Sequence, residues 1–389
     1  MPLKILMIIP SLPTGGAEWA FVRMANALAT SHQVTVYVPY RCESAPALWS
    51  ALGTGVRRLF LPLPHPWFHR LIYKLTLLWP KFSLESKLHR WVLTALHRCN
   101  DYSVVNPHLM SGTELACKAF EDVPLPIIET DHGDYAIRKK QDAAMSDHHL
   151  IFSRLDAVAC PSEANATYLR EFPWRKPVKI AVIPYAAPQV KPSQALKKSS
   201  AFTFGLVSRG VAEKGWAEAL AAFRIVQKNT SRPVRLFFVG DGPEVTRLRG
   251  EVRDSDSSVV FTGQQADPSS WVSEFDVGLL PSYFTAESLP NVVIECQAQG
   301  KPVIGTCVGG IPEMLKHEGS PCGILVPLDH STGRADVDAL AAAMTSLMDD
   351  AATFQQMSAC ALTAYMRYSP ERCCAAYTKL FEEALVASV

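Results

Sequence analysis

The stretch Pro281-Ser282-Tyr283-Phe284-Thr285-Ala286-Glu287-Ser288-Leu289-Pro290-Asn291-Val292-Val293-Ile294-Glu295 sets two carboxylates eight residues apart around the start of a helix. Pro290 suits a first helical turn, where no N–H is needed, and Gly300 is a natural stop just past the last turn. Lys301-Pro302-Val303-Ile304 then reopens as a strand. Glu287 therefore falls in the loop before the helix and Glu295 inside it. Free N–H groups between them, with the positive end of the helix dipole, form a site for an anion such as a nucleotide diphosphate. The carboxylates are left to accept hydrogen bonds from hydroxyls. The alternative is a βα unit whose glutamates only face solvent.

Outward from this stretch, apolar runs of strand length alternate with amphipathic helical stretches. That is the pattern of parallel sheets covered by helices on both faces. Early strands are expected at 3–9, 33–38, 103–109, 125–130, 157–160 and 178–183. Residues 188–200 are polar, contain Pro192 and lack periodicity, as a linker should. The alternation restarts at 202–207 and continues with strands near 235–239, 258–262, 276–280, 302–306 and 323–326, with helices such as 216–228 and 335–348 between them. The fold class is thus α/β with two Rossmann-like domains, 1–187 and 201–369, followed by a terminal segment 370–389. Two such domains opposed would put the carboxyl ends of their strands on both walls of a cleft, and function should concentrate in post-strand loops.

At 389 residues two domains are the default, and 48% hydrophobic content supplies both cores. Lys plus Arg number 38 against 37 Asp plus Glu, a formal net charge of +1, so nothing global points to a nucleic-acid partner. The ten cysteines form no Cys-x-x-Cys pair and no zinc spacing, and most read as small core residues in a reducing compartment. The N-terminal apolar run reads as a first core strand and not a signal peptide, and no stretch reaches the ~20 apolar residues that span a bilayer. The expectation is a cytoplasmic protein, soluble or peripheral on the inner face of the membrane.

In order, Pro281-Ser282, Glu287, Leu289-Pro290-Asn291, Glu295, Gly300-Lys301-Pro302-Val303-Ile304 and Gly309-Gly310-Ile311-Pro312-Glu313 resemble the signature of the family-four retaining glycosyltransferases. The chain departs from it at Ser288, often Gly in the family, and at Cys296-Gln297, usually Ala-Met. The resemblance implies the architecture called GT-B, with the helix near 370–387 crossing back onto the first domain.

Several loops could carry chemistry. Ser208-Arg209-Gly210-Val211-Ala212-Glu213-Lys214-Gly215 follows the first strand of the second half and opens a helix. Arg209 and Lys214 would flank the anion site, each contributing about 1.5–3 kcal/mol through charge-assisted hydrogen bonds. The alternative is two solvated loop cations. The resemblance implies that both hold the donor diphosphate. Gly240-Asp241-Gly242 ends the next strand and permits close backbone approach, to a nucleotide or simply within a turn. Gly15 and Gly16, after the first strand, open a helix through Leu28; they touch donor phosphates or acceptor, or only make a tight turn. In Thr130-Asp131-His132-Gly133-Asp134 the family pattern places a His near the donor sugar, which implies that His132 hydrogen-bonds that sugar. His108 reads as cleft lining. Neither His has a second ligand at zinc spacing, and Asp254-Ser255-Asp256 precedes a strand and reads as a solvated turn, so no metal site is expected.

The segment 65–98 interleaves Arg70, Lys74, Lys81, Lys87, Arg90 and Arg98 with Trp67, Phe68, Tyr73, Trp79, Phe82 and Trp91. It either lies on an anionic bilayer or packs its rings inward with its cations in solvent. Together these readings give a metal-independent glycosyltransferase that needs no cofactor beyond its nucleotide diphosphate-sugar donor, and the resemblance implies that it is a retaining one. Its acceptor carries a hydroxyl and could be lipid-linked, in polysaccharide, lipopolysaccharide or glycolipid assembly. Glu287 with Ser288, Leu289, Pro290 and Asn291 holds sugar and diphosphate, Glu295 holds the ribose, and Arg209 with Lys214 stabilises the departing phosphates. The alternatives are a sugar-nucleotide 2-epimerase of the same architecture and a non-enzymatic nucleotide-sugar binding module. A dehydrogenase is disfavoured because no Gly-x-Gly-x-x-Gly follows the first strand.

Overall fold

A computed structural model describes residues 1–40, 44–60, 84–135, 153–187, 200–253, 255–265 and 269–387. The chain divides into two compact units, Met1–Ala186 with Pro370–Val389, and Ala187–Ser369. The linker expected over 188–200 lies almost wholly outside the described residues.

Unit 1 is built on parallel strands. β1 (Lys4–Ile8) pairs with β2 (Gln33–Tyr37) on one side and β4 (Val104–Pro107) on the other, and β3 (Val56–Leu59) lies outside β2. β5 (Ile128–Thr130), β6 (Ala157–Cys160) and β7 (Lys179–Val182) continue the series, joined to β4 by parallel bridges Val105↔Ile127 and His108↔Thr130. The order 3-2-1-4-5-6-7 reverses direction between β1 and β4, which defines a topological switch point. Helices α1 (Gly16–Leu28), α2 (Pro46–Ala51), α3 (Leu84–Asn100), α4 (Leu109–Ala119) and α5 (Glu163–Arg170) make the crossovers. β3 was not foreseen: in Val-Arg-Arg-Leu only Val56 is buried, so an edge strand carries little apolar signal.

In unit 2, β8 (Phe202–Val207), β9 (Val234–Val239), β10 (Val259–Gly263), β11 (Val277–Leu280), β12 (Val303–Thr306) and β15 (Gly323–Val326) form one parallel sheet, ordered 10-9-8-11-12-15. Its switch point lies between β8 and β11. Connecting helices are α6 (Trp216–Asn229), α7 (Pro243–Glu251), α8 (Ser269–Val272), α9 (Asn291–Ala298), α10 (Ile311–Met314), α11 (Val337–Asp349) and α12 (Ala351–Tyr365). An unforeseen hairpin of β13 (Lys316–His317) and β14 (Ser320–Pro321) turns on Glu318 and Gly319, both with positive φ. The core stacks Phe204, Leu206, Trp216, Phe223, Phe238, Leu340 and Met344, each contributing about 1.5–3 kcal/mol if fully buried.

The last helix, α13 (Pro370–Ala387), packs into unit 1. Cys373, Cys374, Tyr377, Leu380, Phe381 and Ala384 recur at helical spacing and join the cluster of Phe21, Leu28, Val34 and Val36. Polar bonds fix its register: Thr378 Oγ1 to His32 Nε2 at 2.7 Å, and Lys179 Nζ donating to Glu383 Oε2 at 2.6 Å.

Candidate functional site

The post-β8 and post-β11 loops of unit 2 meet at the switch point. A short 3-10 turn, Ala212–Lys214, ends at Gly215 with φ 76° and aims Lys214 at the other loop. Lys214 Nζ donates to Glu287 Oε2 at 2.6 Å, and Ser282 Oγ donates to the same oxygen at 2.7 Å. Phe284 lies beneath the ammonium, 4.9 Å from ring centroid to Nζ. Both charged groups are buried, Lys214 to 8% exposure and Glu287 to 8%. The alternative of a solvated loop cation is therefore wrong for Lys214. Arg209 does fit it: the residue is exposed and its guanidinium has no partner among the described residues.

The backbone around Glu287 is held from a third loop. Gly310 N donates to Glu287 O at 2.9 Å, and at Gly309, with φ 53°, a Cβ would stand 1.8 Å from that carbonyl. Only glycine meets both demands. Glu287 lies in the loop and Glu295 within α9, as expected, with Glu295 buried at 4% exposure. The helix starts one residue later than the sequence suggested, with Pro290 as its N-cap. Two amides near this end are already spent: Glu287 N on Phe284 O at 3.0 Å and Val293 N on Pro290 O at 3.0 Å. An anion there must use others. Ser288, Leu289 and Asn291 lie in the same turn between the carboxylates.

Gly240 and Gly242 have a structural partner. Their φ values are 139° and 148°, and a Cβ on either would strike the carbonyl of Ser208 or of Gly210. The close approach they permit is to the loop that carries Arg209, whose Gly210 N donates to Asp241 O at 2.8 Å. In unit 1, Gly16 begins α1, and the space beside Gly15 is filled by the carboxylate of Glu18.

Unit 1 gathers a second polar cluster at the ends of β4 and β5. His108 is fully buried and not exposed lining: its Nδ1 lies 2.9 Å from His132 Nε2 and its Nε2 3.0 Å from Asn106 Oδ1. His132 Nδ1 lies 2.8 Å from the Tyr185 hydroxyl. The proton positions follow from one carbonyl. Asn106 Nδ2 donates to Ile128 O at 2.6 Å, so Oδ1 faces His108 and must accept. His108 is then protonated on Nε2, its Nδ1 accepts from His132 Nε2–H, and His132 Nδ1 accepts from Tyr185. Burial pushes His132 down to about 3 and His108 well below the ordinary histidine range, which agrees with two neutral rings. Both nitrogens of His132 are thus engaged, and a hydrogen bond to a sugar requires one partner to let go.

Beside it, burial pushes the Asp131 carboxyl up to about 7 and that of Glu129 up to about 8. Asp131 accepts from the amides of Gly133 and Asp134 and from Asn165 Nδ2 at 3.0 Å, while Tyr135 donates to Glu129 Oε2 at 2.6 Å. Asn106 and Tyr185 were not singled out from sequence, and Ser282 entered only within the Pro-Ser signature; each acts through hydrogen bonds that only the fold creates.

Comparison with known proteins bears on both units. A family model described as Glycosyltransferase Family 4 matches residues 14–186, and one described as Glycosyl transferases group 1 matches 201–350. The chain belongs to the family-four glycosyltransferases. Over 109 residues it is 37% identical to the N-acetyl-alpha-D-glucosaminyl L-malate synthase of Bacillus anthracis, covering 28% of each chain. Over 295 residues it is 24% identical to an alpha-1,4-N-acetyl-D-galactosaminyltransferase of Campylobacter jejuni, covering 75% of this chain and 76% of that one. The fold matches HepE of Anabaena, solved in complex with UDP and glucose, at a TM-score of 0.74 and 19% identity, over 98% of this chain and 99% of that one. The fold is therefore the GT-B one.

As a family-four chain it leaves two expectations to other ground. Asp254 and residues 61–83, with Arg70, Lys74 and Lys81, lie outside the described residues. Asp256 is a turn residue that takes hydrogen bonds from Ser258 and Arg224. On α3, Arg90 pairs with Asp122 at 2.8 Å, Arg98 is exposed and Trp91 is 68% exposed. Among the described residues no helix is long and apolar enough to cross a membrane, and no group of three His, Cys, Asp or Glu stands in a metal-binding arrangement.

Proposed function

We propose that this chain is a retaining glycosyltransferase that moves a sugar from a nucleotide diphosphate-sugar to a hydroxyl acceptor. The observation that carries the reading is the buried Lys214–Glu287–Ser282 assembly at the switch point of unit 2, where doubly wound sheets take their ligands. A buried carboxylate held by a cation and a hydroxyl is a ready acceptor for sugar hydroxyls. Lys214 needs only to swing to an incoming phosphate, and the exposed Arg209 can close on the same diphosphate. Glu295 binds the ribose, and unit 1 is assigned the acceptor.

These cations stabilise the leaving diphosphate in place of a metal, so turnover should persist in EDTA. A uridine diphosphate-sugar is the donor class of choice, because HepE was solved with UDP and glucose. The Campylobacter relative is named for an undecaprenol-linked acceptor, which favours a lipid-linked acceptor here in glycolipid or polysaccharide assembly. The exposed Trp91 and Arg98 of α3 support docking on an anionic membrane, with the protein peripheral on its cytoplasmic face.

A thermal-shift screen of nucleotide-sugars tests the donor. A ligand at a hundred times its Kd adds about 2.7 kcal/mol of stability. Product analysis with the best donor should then show transfer with retained anomeric configuration. An epimer formed from donor alone, or binding with neither transfer nor hydrolysis, would overturn the proposal.

A further inference from the structure

The second unit holds a pair of thiols outside its donor-site loops. Cys322 Sγ and Cys360 Sγ stand 2.6 Å apart, although they are 38 residues apart in sequence. Two unbonded sulfurs do not rest this close, and a disulfide bond of ~2.05 Å needs a further approach of only about half an ångström. Rigid elements bring the sulfurs together. The tight turn at Glu318 and Gly319 folds β13 against β14, and Cys322 N donates to Leu315 O at 2.9 Å, which fixes the residue after the hairpin. Cys360 lies on α12, whose Ala361 and Ala364 pack directly on Cys322. Arg367, just past α12, ties the two together by donating to the carbonyls of Met314 and Lys316, each at 3.1 Å.

We propose that Cys322 and Cys360 are an oxidation site that closes into a reversible disulfide, linking the β13–β14 hairpin to α12. The half-buried Cys360 is the attacking thiol, because Cys322 is fully buried and its thiol is pushed up to about 12 by that burial. With hydrogen peroxide as oxidant, the Cys360 thiolate attacks one peroxide oxygen. The O–O bond breaks, and after proton uptake the products are a sulfenic acid and one water. Cys322 sulfur then attacks the Cys360 sulfur, the S–O bond breaks, and hydroxide takes the Cys322 proton and leaves as a second water. Two thiols lose two electrons and one peroxide is reduced to two waters. A dithiol reductant reverses the bond by exchange.

The link would join two supports of the candidate site. The hairpin follows α10, which begins just after the Gly309-Gly310 loop that holds the Glu287 backbone. Helix α12 packs on α9, the helix of Glu295, and Ser358 Oγ donates to Gly300 O at 2.6 Å. Closing this loop constrains the unfolded chain, so the oxidised protein should melt higher by on the order of 5–10 °C.

The test uses the full chain, treated with hydrogen peroxide and digested without reductant. A Cys322–Cys360 linked peptide, two hydrogens lighter than the sum of its parts and lost after dithiothreitol, is the expected product. The rise in Tm should accompany it and be absent in Cys360→Ser. Differential alkylation of the untreated and treated wild type needs no variant, so a misfolded Cys360→Ser would not obscure the answer. If both thiols remain alkylatable after the exposed Cys307 has been oxidised, or if either links to another cysteine instead, the proposal fails.

Discussion

The Lys214–Glu287 pair of unit 2 and the His108–His132 cluster of unit 1 both sit in post-strand loops beside a switch point, yet they handle burial in opposite ways. In unit 2 a buried carboxylate faces a buried ammonium at 2.6 Å, and each charge offsets the desolvation of the other. In unit 1 burial instead pushes each group toward its neutral form: the pKa values of the imidazoles are lowered and those of the Glu129 and Asp131 carboxyls are raised. One region is a buried ion pair, which under the proposed function would exchange a partner for a phosphate. The other is a neutral relay that orients a ring.

The sharpest way to break this comparison is to remove the ammonium. Lys214→Ala should lower turnover by about 10²–10³, the usual cost of losing one donor to developing charge. It should also destabilise the fold, because Glu287 is left buried and unpaired, a loss of about 3–5 kcal/mol. The double variant Lys214→Ala with Glu287→Gln removes the orphan charge. Its melting temperature should recover while its turnover does not. Recovery of both would make the pair a purely structural bond.

Next in size is the relay. His108→Leu removes the acceptor for His132 Nε2–H and leaves two buried groups unsatisfied, at about 1–3 kcal/mol each. We expect kcat/KM to fall by about tenfold or more, and nitrogen NMR to show His132 shifting from the Nε2–H tautomer to a mixture. His108→Asn keeps an oxygen near the Nδ1 position and should retain both the tautomer and most of the activity. A mixed tautomer already in the wild type would refute the proton positions derived from Asn106.

Glu295→Gln should have a smaller effect. It exchanges a charge-assisted hydrogen bond for a neutral one, a difference of about 1 kcal/mol, so the affinity for UDP measured by calorimetry should fall about fivefold. Unchanged affinity would remove Glu295 from the ribose.

The contrast between the regions also explains what could be read from sequence. Glu287, Glu295, Gly309 and Gly310 form a local pattern, spaced along one βα unit, and their placement on loop and helix followed from Pro290 and Gly300. The alternating apolar runs likewise gave nearly every strand of the two sheets, because strands buried on both faces announce themselves. The relay is non-local. Asn106, His108, His132 and Tyr185 come from three separate segments and meet only when β4 pairs beside β5, so His108 looked like lining. The sequence places Lys214 at the anion site, but its burial and its bond to Glu287 are not legible there for the same reason: they depend on Pro281 to Glu287, which are far away in sequence. Cys322 and Cys360 share no motif at all.

The smallest expected effect tests the discharged region through stability. Glu129 has a folded-state carboxyl raised to about 8 from an ordinary value near 4.5, and Asp131 one raised to about 7. A group raised in this way stabilises the fold fully below its unfolded value, and that contribution is lost as pH rises through the folded one. His132 acts in the reverse sense: lowered to about 3 from 6.5, its contribution is present above pH 6.5 and is lost as pH falls toward 3. The two trends oppose one another below pH 6.5, and only the acids remain above it. Thermal stability should therefore fall by a few degrees between pH 6.5 and 8.5. Glu129→Gln, neutral throughout and able to accept from Tyr135, should flatten that fall to the part due to Asp131. If the variant and the wild type lose stability in parallel over this range, Glu129 is already ionised in the folded protein, and the contrast between a charged and a discharged region is lost at that residue.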